Sequence, residues 1–467
     1  MKAQSLKQLG VWAGARLVQG DGERFAARVC TDTRQVQPGD LFIALVGEKF
    51  DGHDFVKEAV QKGAIGLVVS KTPEPGAVPE SVGILKVADT LVALQSLAAA
   101  YRQSLSVKVA AVTGSSGKTS TKEMIASILE RRYEVHKTHA NLNNHIGLPL
   151  TLLDLDEDDE WCVVEIGMNQ PGEILHLTRI ARPDIAVITN IGWAHIAAFE
   201  NQEAIASEKC DILVPLDESG VAIVNIEDPF LQNVAERTRA QVRWVGESMD
   251  CSVRFREPSF DSDLDGMRFR LEGAGFSLDA RVPYPGIHMV ENAVLAAQVG
   301  LEAGLEPVEV VEGLERVQFP KGRMGLYEWN GGYLLDDSYN ANPDSMAAAF
   351  RSLSLLGSDG RKIALLGCMA ELGDYSERLH TWVGARLGAE QFDGVYCVGE
   401  EADTLCQAAI QAGLPEERCH PCADPMEMAT RYLENSQDGD HVLVKGSRLY
   451  ELNRVAEHLM KEKGEAA

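Results

Sequence analysis

The chain has 467 residues, 45% hydrophobic and 24% charged, enough for about two to four domains with cores of their own. A formal net charge of −26 without any basic stripe argues against a nucleic-acid partner, and an anionic ligand would have to be captured by local cations against the overall field. Met1-Lys2-Ala3-Gln4-Ser5-Leu6 carries no signal-peptide core, no apolar stretch is long enough to span a bilayer, and nine scattered cysteines suit reduced thiols. A cytoplasmic protein is therefore expected.

The first 85 residues read as a small α/β unit. Thr31-Asp32-Thr33-Arg34, then Leu41 to Leu45, then Asp51-Gly52-His53-Asp54-Phe55 lead through a helix to the strand Ile65 to Val69. Polar residues crowd the strand ends, where open sheets place ligands. Thr31 to Arg34 read alone is equally a turn with a surface ion pair. Lys71 to Ser81 holds three prolines and reads as a loop, and Thr90 to Arg102 reads as a helix.

Val109 to Val112 is a buried-strand run, and Thr113-Gly114-Ser115-Ser116-Gly117-Lys118-Thr119-Ser120 is a Gly-rich turn ending in Lys-Thr. Met124, Ile125, Ile128 and Leu129 then recur at helical spacing, predicting a helix with one apolar face. Strand, turn and helix in that order form a phosphate cradle: backbone N–H groups close on anionic oxygens at a helix N-terminus. Lys118 would reach the β/γ-phosphates and Thr119 would hold Mg²⁺. The usual P-loop needs a glycine where Val112 stands, so this is a short form. The alternative is a chance Gly-Ser turn.

Thr138 to Thr151 is rich in amides, with Asn141, Asn143 and Asn144 suited either to turns or to hydrogen-bonding a polar ligand. Asp154 to Glu160 is an acidic, solvated run. Trp161 to Gly167 is a strand with Glu165 near its C-terminal end; a buried carboxylate there needs a partner, either the nucleotide's Mg²⁺ or a basic neighbour. Asp184 to Asn190 is a strand running into Ile191-Gly192-Trp193-Ala194-His195. A lone histidine is more often structural, but this one stands on the ligand-bearing edge. Ala204 to Leu213 reads as a helix on which composition alone would leave Lys209 at the surface.

Val221 to Asn225 closes the strand series, and Trp244 to Pro283 switches to a two-residue alternation with a hairpin at Glu272 to Gly275. An Ala-rich helix runs from Gly286 to about Ala303. A last domain starts near Phe319 with strands Tyr333 to Asp336, Lys362 to Leu366, Gly394 to Val398 and His441 to Val444. Asn342 is placed to cap a helix whose first turn holds Pro343. The absence of Gly-x-Gly-x-x-Gly argues against a dinucleotide dehydrogenase. Cys419-His420-Pro421-Cys422 resembles half a zinc site without its second pair, and is read as a loop.

These motifs together resemble the Mur ligase family, which builds the peptide stem of bacterial cell-wall precursors. G-S-S-G-K-T, V-V-E-I-G at Glu165, T-N-I-G-W-A-H at His195, Lys209, N-A at Asn292 and G-R at Arg323 fall in that family's order. T-D-T-R, D-G-H-D-F, N-L-N-N-H-I-G-L-P-L-T, D-S-Y-N-A-N-P-D-S-M and V-K-G-S-R extend the likeness over essentially the whole chain.

The resemblance implies an α/β fold of three domains: residues 1–85 binding a UDP-sugar, 86–317 holding ATP and Mg²⁺ on a central P-loop-type parallel sheet, and 318–467, a Rossmann-like sheet, binding the incoming dipeptide and part of the nucleotide. It implies that ATP is held by Thr113 to Ser120 with Asn292, Arg323, Asp337 and Asn340. The substrates would meet Thr31, Asp32, Thr33, Arg34, Asp51, His53, Asn141, Asn143, Asn144, Lys445 and Ser447. Two Mg²⁺ ions would lie among Thr119, Glu165, His195 and a carbamylated Lys209, and Lys118, Lys209, His195 and Glu165 would carry the catalysis. Cys210-Asp211 departs from the Gly-Glu common beside that lysine.

The implied reaction is ATP-dependent ligation of D-alanyl-D-alanine to a UDP-N-acetylmuramoyl tripeptide through an acyl phosphate, in a cytoplasmic, monomeric enzyme of peptidoglycan synthesis. Domain closure would bring Arg323 and Asp337 onto the nucleotide. Weighed against it stand another ligase of this fold, the tripeptide synthetase or folylpolyglutamate synthetase, and a P-loop NTPase without ligase activity.

Overall fold

The computed structural model describes residues 1–261, 266–357 and 360–463. The chain divides into two compact units: Met1–Ala111 with Tyr133–Gly167 and Gly172–Asp184, and Val112–Arg132 with Met168–Pro171 and Ile185–Ala467. The division falls inside the strand Lys108–Thr113.

In the first unit, strands run side by side in the order Arg16–Gln19, Gly83–Lys86, Gly66–Val69, Leu41–Ile43 and Val29–Cys30. The first pair is antiparallel and the others are parallel. Gly66 and Gly83 sit opposite each other, and a Cβ on either would strike the Leu6 side chain at 2.7 or 2.5 Å. The sheet thus keeps a bare patch where the helix Leu6–Trp12 packs. Parallel strands need crossovers, and Val56–Gln61 supplies one, with Val56 and Ala59 buried against Phe42, Leu67 and Val69. The unit also holds the parallel pair Val135–Lys137 and Trp161–Glu165, and the helices Thr90–Gln103, Gly147–Leu153 and Glu173–Ala181.

In the second unit, the helix Lys118–Leu129 departs from expectation. It is buried on most sides, including Thr121, Lys122 and Glu123, the last two paired at 2.7 Å. The enclosure comes from Ile287–Glu302 and Pro307–Glu315, where Gly300 and Gly313 let Ile128 approach to within a Cβ's reach. Val221–Asn225 does not close the parallel series. Gln241–Gly246 follows in parallel, and Val253–Asp261 begins parallel before pairing antiparallel with Gly266–Gly273. The alternation of that segment marks its hairpin, Gly266–Gly273 with Phe276–Val282, but hides the parallel strand ahead of it.

A further sheet of this unit has the order Gly325–Trp329, Gly332–Asp336, His441–Lys445, Lys362–Gly367, Gly394–Val398 and Cys419–Cys422, parallel except for the first pair. Cys419–Cys422 is therefore an edge strand, not a loop; its Pro421 is tolerated because an edge strand need not donate on both sides. Asn342 caps Pro343–Ser354 as its sequence predicts, accepting from Ser345 N at 2.9 Å. Asp440, 1% exposed, anchors this sheet by accepting from Arg361 Nε and Nη2 at 2.8 Å, Tyr432 Oη at 2.9 Å and Gln437 N at 3.0 Å.

Removing that carboxylate strands a guanidinium and a phenol. Asp440→Ala is expected to lower stability by about 3–5 kcal/mol, against under about 1 kcal/mol for Asp279→Ala, whose pairing with Arg270 at 2.9 Å is exposed, as read by urea unfolding followed through tryptophan fluorescence. Equal midpoint shifts would refute the anchoring role.

Candidate active site

The turn after Lys108–Thr113 is built from backbone constraints. Gly114 has φ +152° and Gly117 has φ +78°, conformations that side-chain-bearing residues rarely adopt. A Cβ on Gly114 would sit 1.8 Å from Thr189 Oγ1, and one on Gly117 would sit 2.5 Å from Asn292 Oδ1. The loop is held from the strand end at Ile188: Asn190 Oδ1 accepts from Ser116 N at 3.0 Å, Thr189 Oγ1 donates to Ser116 O at 2.5 Å, and Ser115 Oγ accepts from Gly192 N at 2.7 Å. Asn342 Nδ2 donates to Ser116 Oγ at 3.0 Å, and Asp344 accepts from Trp193 N at 2.8 Å. Thr113, Ser115, Thr119 and Ser120 are buried around the start of Lys118–Leu129.

Two lysines meet at one atom. Lys118 Nζ donates to Gly114 O at 2.8 Å and Lys209 Nζ to the same oxygen at 2.9 Å. Lys209 is 1% exposed, against the surface position its composition suggests. Burial first, and then the charge of Lys118, hold its ammonium well below the ordinary lysine range, with Glu208 opposing. Burial and a like charge both disfavour the charged ammonium relative to the neutral amine. Next to it, Asp211 turns to Arg237 at 3.0 Å, so the carboxylate of Cys210-Asp211 serves an ion pair.

The cradle fits a nucleotide phosphate: it has glycines with no room for Cβ, a helix N-terminus, and Asn292 Nδ2 buried beside Gly117 with no hydrogen-bond partner among the described residues. Among the described residues no three His, Cys, Asp or Glu side chains cluster as a metal cage. Thr119, His195 and Lys209 belong to the second unit and Glu165 to the first. Taken within its own unit, each of these hydroxyl, carboxylate and imidazole groups is of a type that suits a hard cation.

Glu165 ends its strand 3% exposed. Asn143 Nδ2 donates to its Oε1 at 2.8 Å, and Glu165 N donates to Thr138 Oγ1 at 3.0 Å, so the amide-rich loop binds this carboxylate. Asn144 Oδ1 instead accepts from Gly147 N at 2.9 Å and Ile146 N at 3.1 Å at the start of Gly147–Leu153, which makes it a structural turn former. Asn141 is exposed.

His195 has φ +63°, and its Nδ1 lies 2.5 Å from Glu371 Oε2. The imidazole hydrogen bond, ahead of the opposing effect of burial, keeps the Glu371 carboxyl below its ordinary range. Glu371 O also accepts from Ala197 N at 3.1 Å, and Tyr375 Oη donates to Glu200 O at 2.8 Å.

Around Tyr339 the distant motifs of the last sheet converge. Arg323 stacks on its ring at 4.1 Å and Arg448 at 5.6 Å. Lys445, 2% exposed, pairs with Asp337 and donates to Asn340 O at 3.0 Å, while Asn340 Oδ1 accepts from Arg448 N at 3.3 Å. Ser447 Oγ caps the turn Arg448–Tyr450. Burial pushes His288 down to about 4, with Asp337 opposing and Lys445 reinforcing.

In the first unit the Thr31 to Arg34 stretch is a turn with an exposed ion pair: Asp32 caps Thr33–Gln35 and takes Arg34 Nη2 at 2.7 Å. Asp51 accepts from Lys71 Nζ at 2.6 Å, from His53 N at 3.0 Å and from His53 Nδ1 at 2.6 Å, and these bonds, Lys71 foremost, hold its carboxyl far below the ordinary range; His53 Nε2 accepts from Ser70 N at 2.9 Å. Gly52 is required there, since a Cβ would meet Leu45 O at 2.7 Å.

Sequence reasoning missed Thr189, Asn190, Asn342, Asp344 and Glu371 as site residues. All lie in motifs that were noticed, Thr189, Asn190 and Glu371 just past strands and Asn342 and Asp344 at a helix start, but their partners are 70 or more residues away along the chain.

Comparison with known proteins places this geometry in context. Residues 27–102 match the model described as the Mur ligase family, catalytic domain; 112–300 match the Mur ligase middle domain; and 322–448 match the Mur ligase, glutamate ligase domain. The UDP-N-acetylmuramoyl-tripeptide–D-alanyl-D-alanine ligase of Bacillus subtilis is 37% identical over 93% of either chain. The crystal structure of MurF from Acinetobacter baumannii superposes with a TM-score of 0.90 at 32% identity, covering 99% of this chain and all of that one. MurF ligase from Thermotoga maritima in complex with ADP superposes with a TM-score of 0.82 at 29% identity, covering 93% and 97%. The fold is the three-domain α/β architecture of these enzymes, and the chain belongs to the Mur ligase family of ATP-dependent ligases.

Proposed function

We propose that this chain joins D-alanyl-D-alanine to a UDP-N-acetylmuramoyl tripeptide at the expense of ATP, releasing ADP and phosphate, as a cytoplasmic step in peptidoglycan precursor synthesis. The observation that carries the reading is the cradle Gly114 to Ser120 with Lys118 and Lys209 on one carbonyl. The printed activity of relatives such as the B. subtilis ligase supplies the substrates. Residues 1–85 would take the UDP-sugar, 86–317 the ATP and 318–467 the dipeptide; the family models match 27–102, 112–300 and 322–448. Among the described residues no helix is long and apolar enough to cross a membrane.

The terminal carboxylate oxygen of the tripeptide attacks the γ-phosphorus as the bond to ADP breaks. The dipeptide's amine then attacks the acyl carbon, its C–O bond to phosphate breaks, and the amine loses a proton. Backbone N–H groups of the cradle and Lys118 Nζ, swung off Gly114 O, hold the transferring phosphoryl group and offset its charge. Bound Mg²⁺ would supply further charge neutralisation, with Thr119, Glu165 and His195 as its protein donors. Lys209 as a neutral amine can add to CO₂ and release a proton, giving a carbamate whose oxygens suit the same cation. Asp337, Lys445, Arg323 and Asn340 form the polar shelf for nucleotide and dipeptide.

Phosphate release from ATP is expected only when UDP-muramoyl tripeptide and D-alanyl-D-alanine are both present, with a product heavier by the dipeptide in mass spectrometry; release indifferent to both would refute the ligase. Lys118→Ala should lower kcat by at least about 10²–10³-fold while the protein's circular dichroism stays unchanged. Lys209→Ala should be as inactive yet recover part of its turnover in added short carboxylates, and normal turnover without them would remove the carbamate.

A further inference from the structure

The loops at Trp193 to Glu200 and Cys368 to Tyr375 meet through contacts that the ligase reading does not use. His195 and Glu371 are both non-glycine residues in the left-handed region, with φ +63° and +62°. Such strain persists where the surroundings over-determine it and gathers at functional sites. The loops are bound at several points: His195 Nδ1 to Glu371 Oε2 at 2.5 Å, Ala197 N to Glu371 O at 3.1 Å, and Tyr375 Oη to Glu200 O at 2.8 Å, with Trp193 and Tyr375 rings 5.5 Å apart. Gly373 completes the fit, since even a Cβ there would lie 3.2 Å from Ala197.

We propose that Glu371 is the positioning residue for His195, accepting a hydrogen bond from Nδ1–H so that Nε2 keeps the ring's lone pair, the atom that would be offered to the cation the ligase reaction uses. This rests on the reading of His195 as a Mg²⁺ donor. An ionised carboxylate can only accept, so Nδ1 must carry the hydrogen, and the tautomer is fixed by a side chain 176 positions further along the chain. Metal-bound histidines characteristically hand their other N–H to such an acceptor, and loss of the acceptor weakens metal affinity about 10–100-fold. The carboxylate also reaches His195 from the loop that follows the strand Lys362–Gly367.

The test uses the full-length protein with a non-hydrolysable ATP analogue and Mn²⁺ as the probe, in wild type, Glu371→Ala, Glu371→Gln and His195→Ala. The tautomer is read by ¹⁵N NMR of histidine-labelled protein, and Mn²⁺ affinity by electron paramagnetic resonance. Wild type is expected to show Nδ1–H. Glu371→Ala should lose that preference, bind Mn²⁺ about 10-fold or more weakly, and need more Mg²⁺ for half-maximal turnover while kcat at saturating Mg²⁺ changes less. Glu371→Gln, which keeps an acceptor oxygen, should stay near wild type. Unchanged Mn²⁺ affinity and tautomer in Glu371→Ala, with binding lost in His195→Ala, would overturn the positioning role and leave His195 as a donor. Mn²⁺ affinity unchanged in His195→Ala would overturn the donor reading itself, and this proposal with it.

Discussion

The carbonyl oxygen of Gly114 accepts hydrogen bonds from two lysine amines, Lys118 at 2.8 Å and Lys209 at 2.9 Å, and most of the active-site geometry follows from that crowding. Two nitrogens on one acceptor lie less than about 6 Å apart, where like charges at an effective dielectric near 20 repel by about 3 kcal/mol. Burial settles which of them gives way: Lys209 is enclosed, and its ammonium is disfavoured. Glycine at 114 is what lets the carbonyl point at both, because φ +152° and the 1.8 Å approach of Thr189 Oγ1 exclude any side chain there. An anionic ligand in the turn would give Lys118 a stronger partner than a neutral carbonyl.

The loop is kept in that state from outside itself. Thr189 and Asn190 hold Ser116, Ser115 holds Gly192, and Asn342 reaches Ser116 while its neighbour Asp344 takes the Trp193 amide. Gly192 is bare because Asp344 Oδ2 lies 2.0 Å from where its Cβ would be. Buried amides and carboxylates in such a network are costly singly and stable together. The same economy of partners appears at Tyr339, where Arg323, Arg448, Asn340 and Lys445 arrive from three segments of chain.

Much of this was legible from residues alone, and the misses have physical causes. The strand, Gly-rich turn and helix at Val109 to Leu129 are a local signal, read from spacing. The helix's one-faced pattern misled because Lys122 and Glu123 neutralise each other at 2.7 Å, letting a polar face be buried. Gln241–Gly246 was hidden inside an alternating stretch because its side chains are half-covered, which alternation cannot distinguish from an antiparallel hairpin. Cys419–Cys422 looked like a loop since proline usually breaks strands, and only an edge position excuses it. Asn144 was grouped with Asn143 by proximity, although Asn144 Oδ1 holds the turn at Ile146 and Gly147 while Asn143 holds Glu165.

The sequence by itself determined the α/β class, the strand, Gly-rich turn and helix at Val109 to Leu129, the helix cap at Asn342, the order of the motifs and their likeness to the Mur ligases, because each is written in neighbouring residues whose backbone and periodicity act locally. Only the tertiary structure decided that Lys209 is buried and shares an oxygen with Lys118, that His195 is paired with Glu371, and that Lys445 meets Asp337. Those facts depend on which surfaces the crossovers bring together. A lysine or a histidine carries the same letter in a solvated helix and in a desolvated cleft; burial and the partner's charge set its proton, and both come from chain that is far away in sequence.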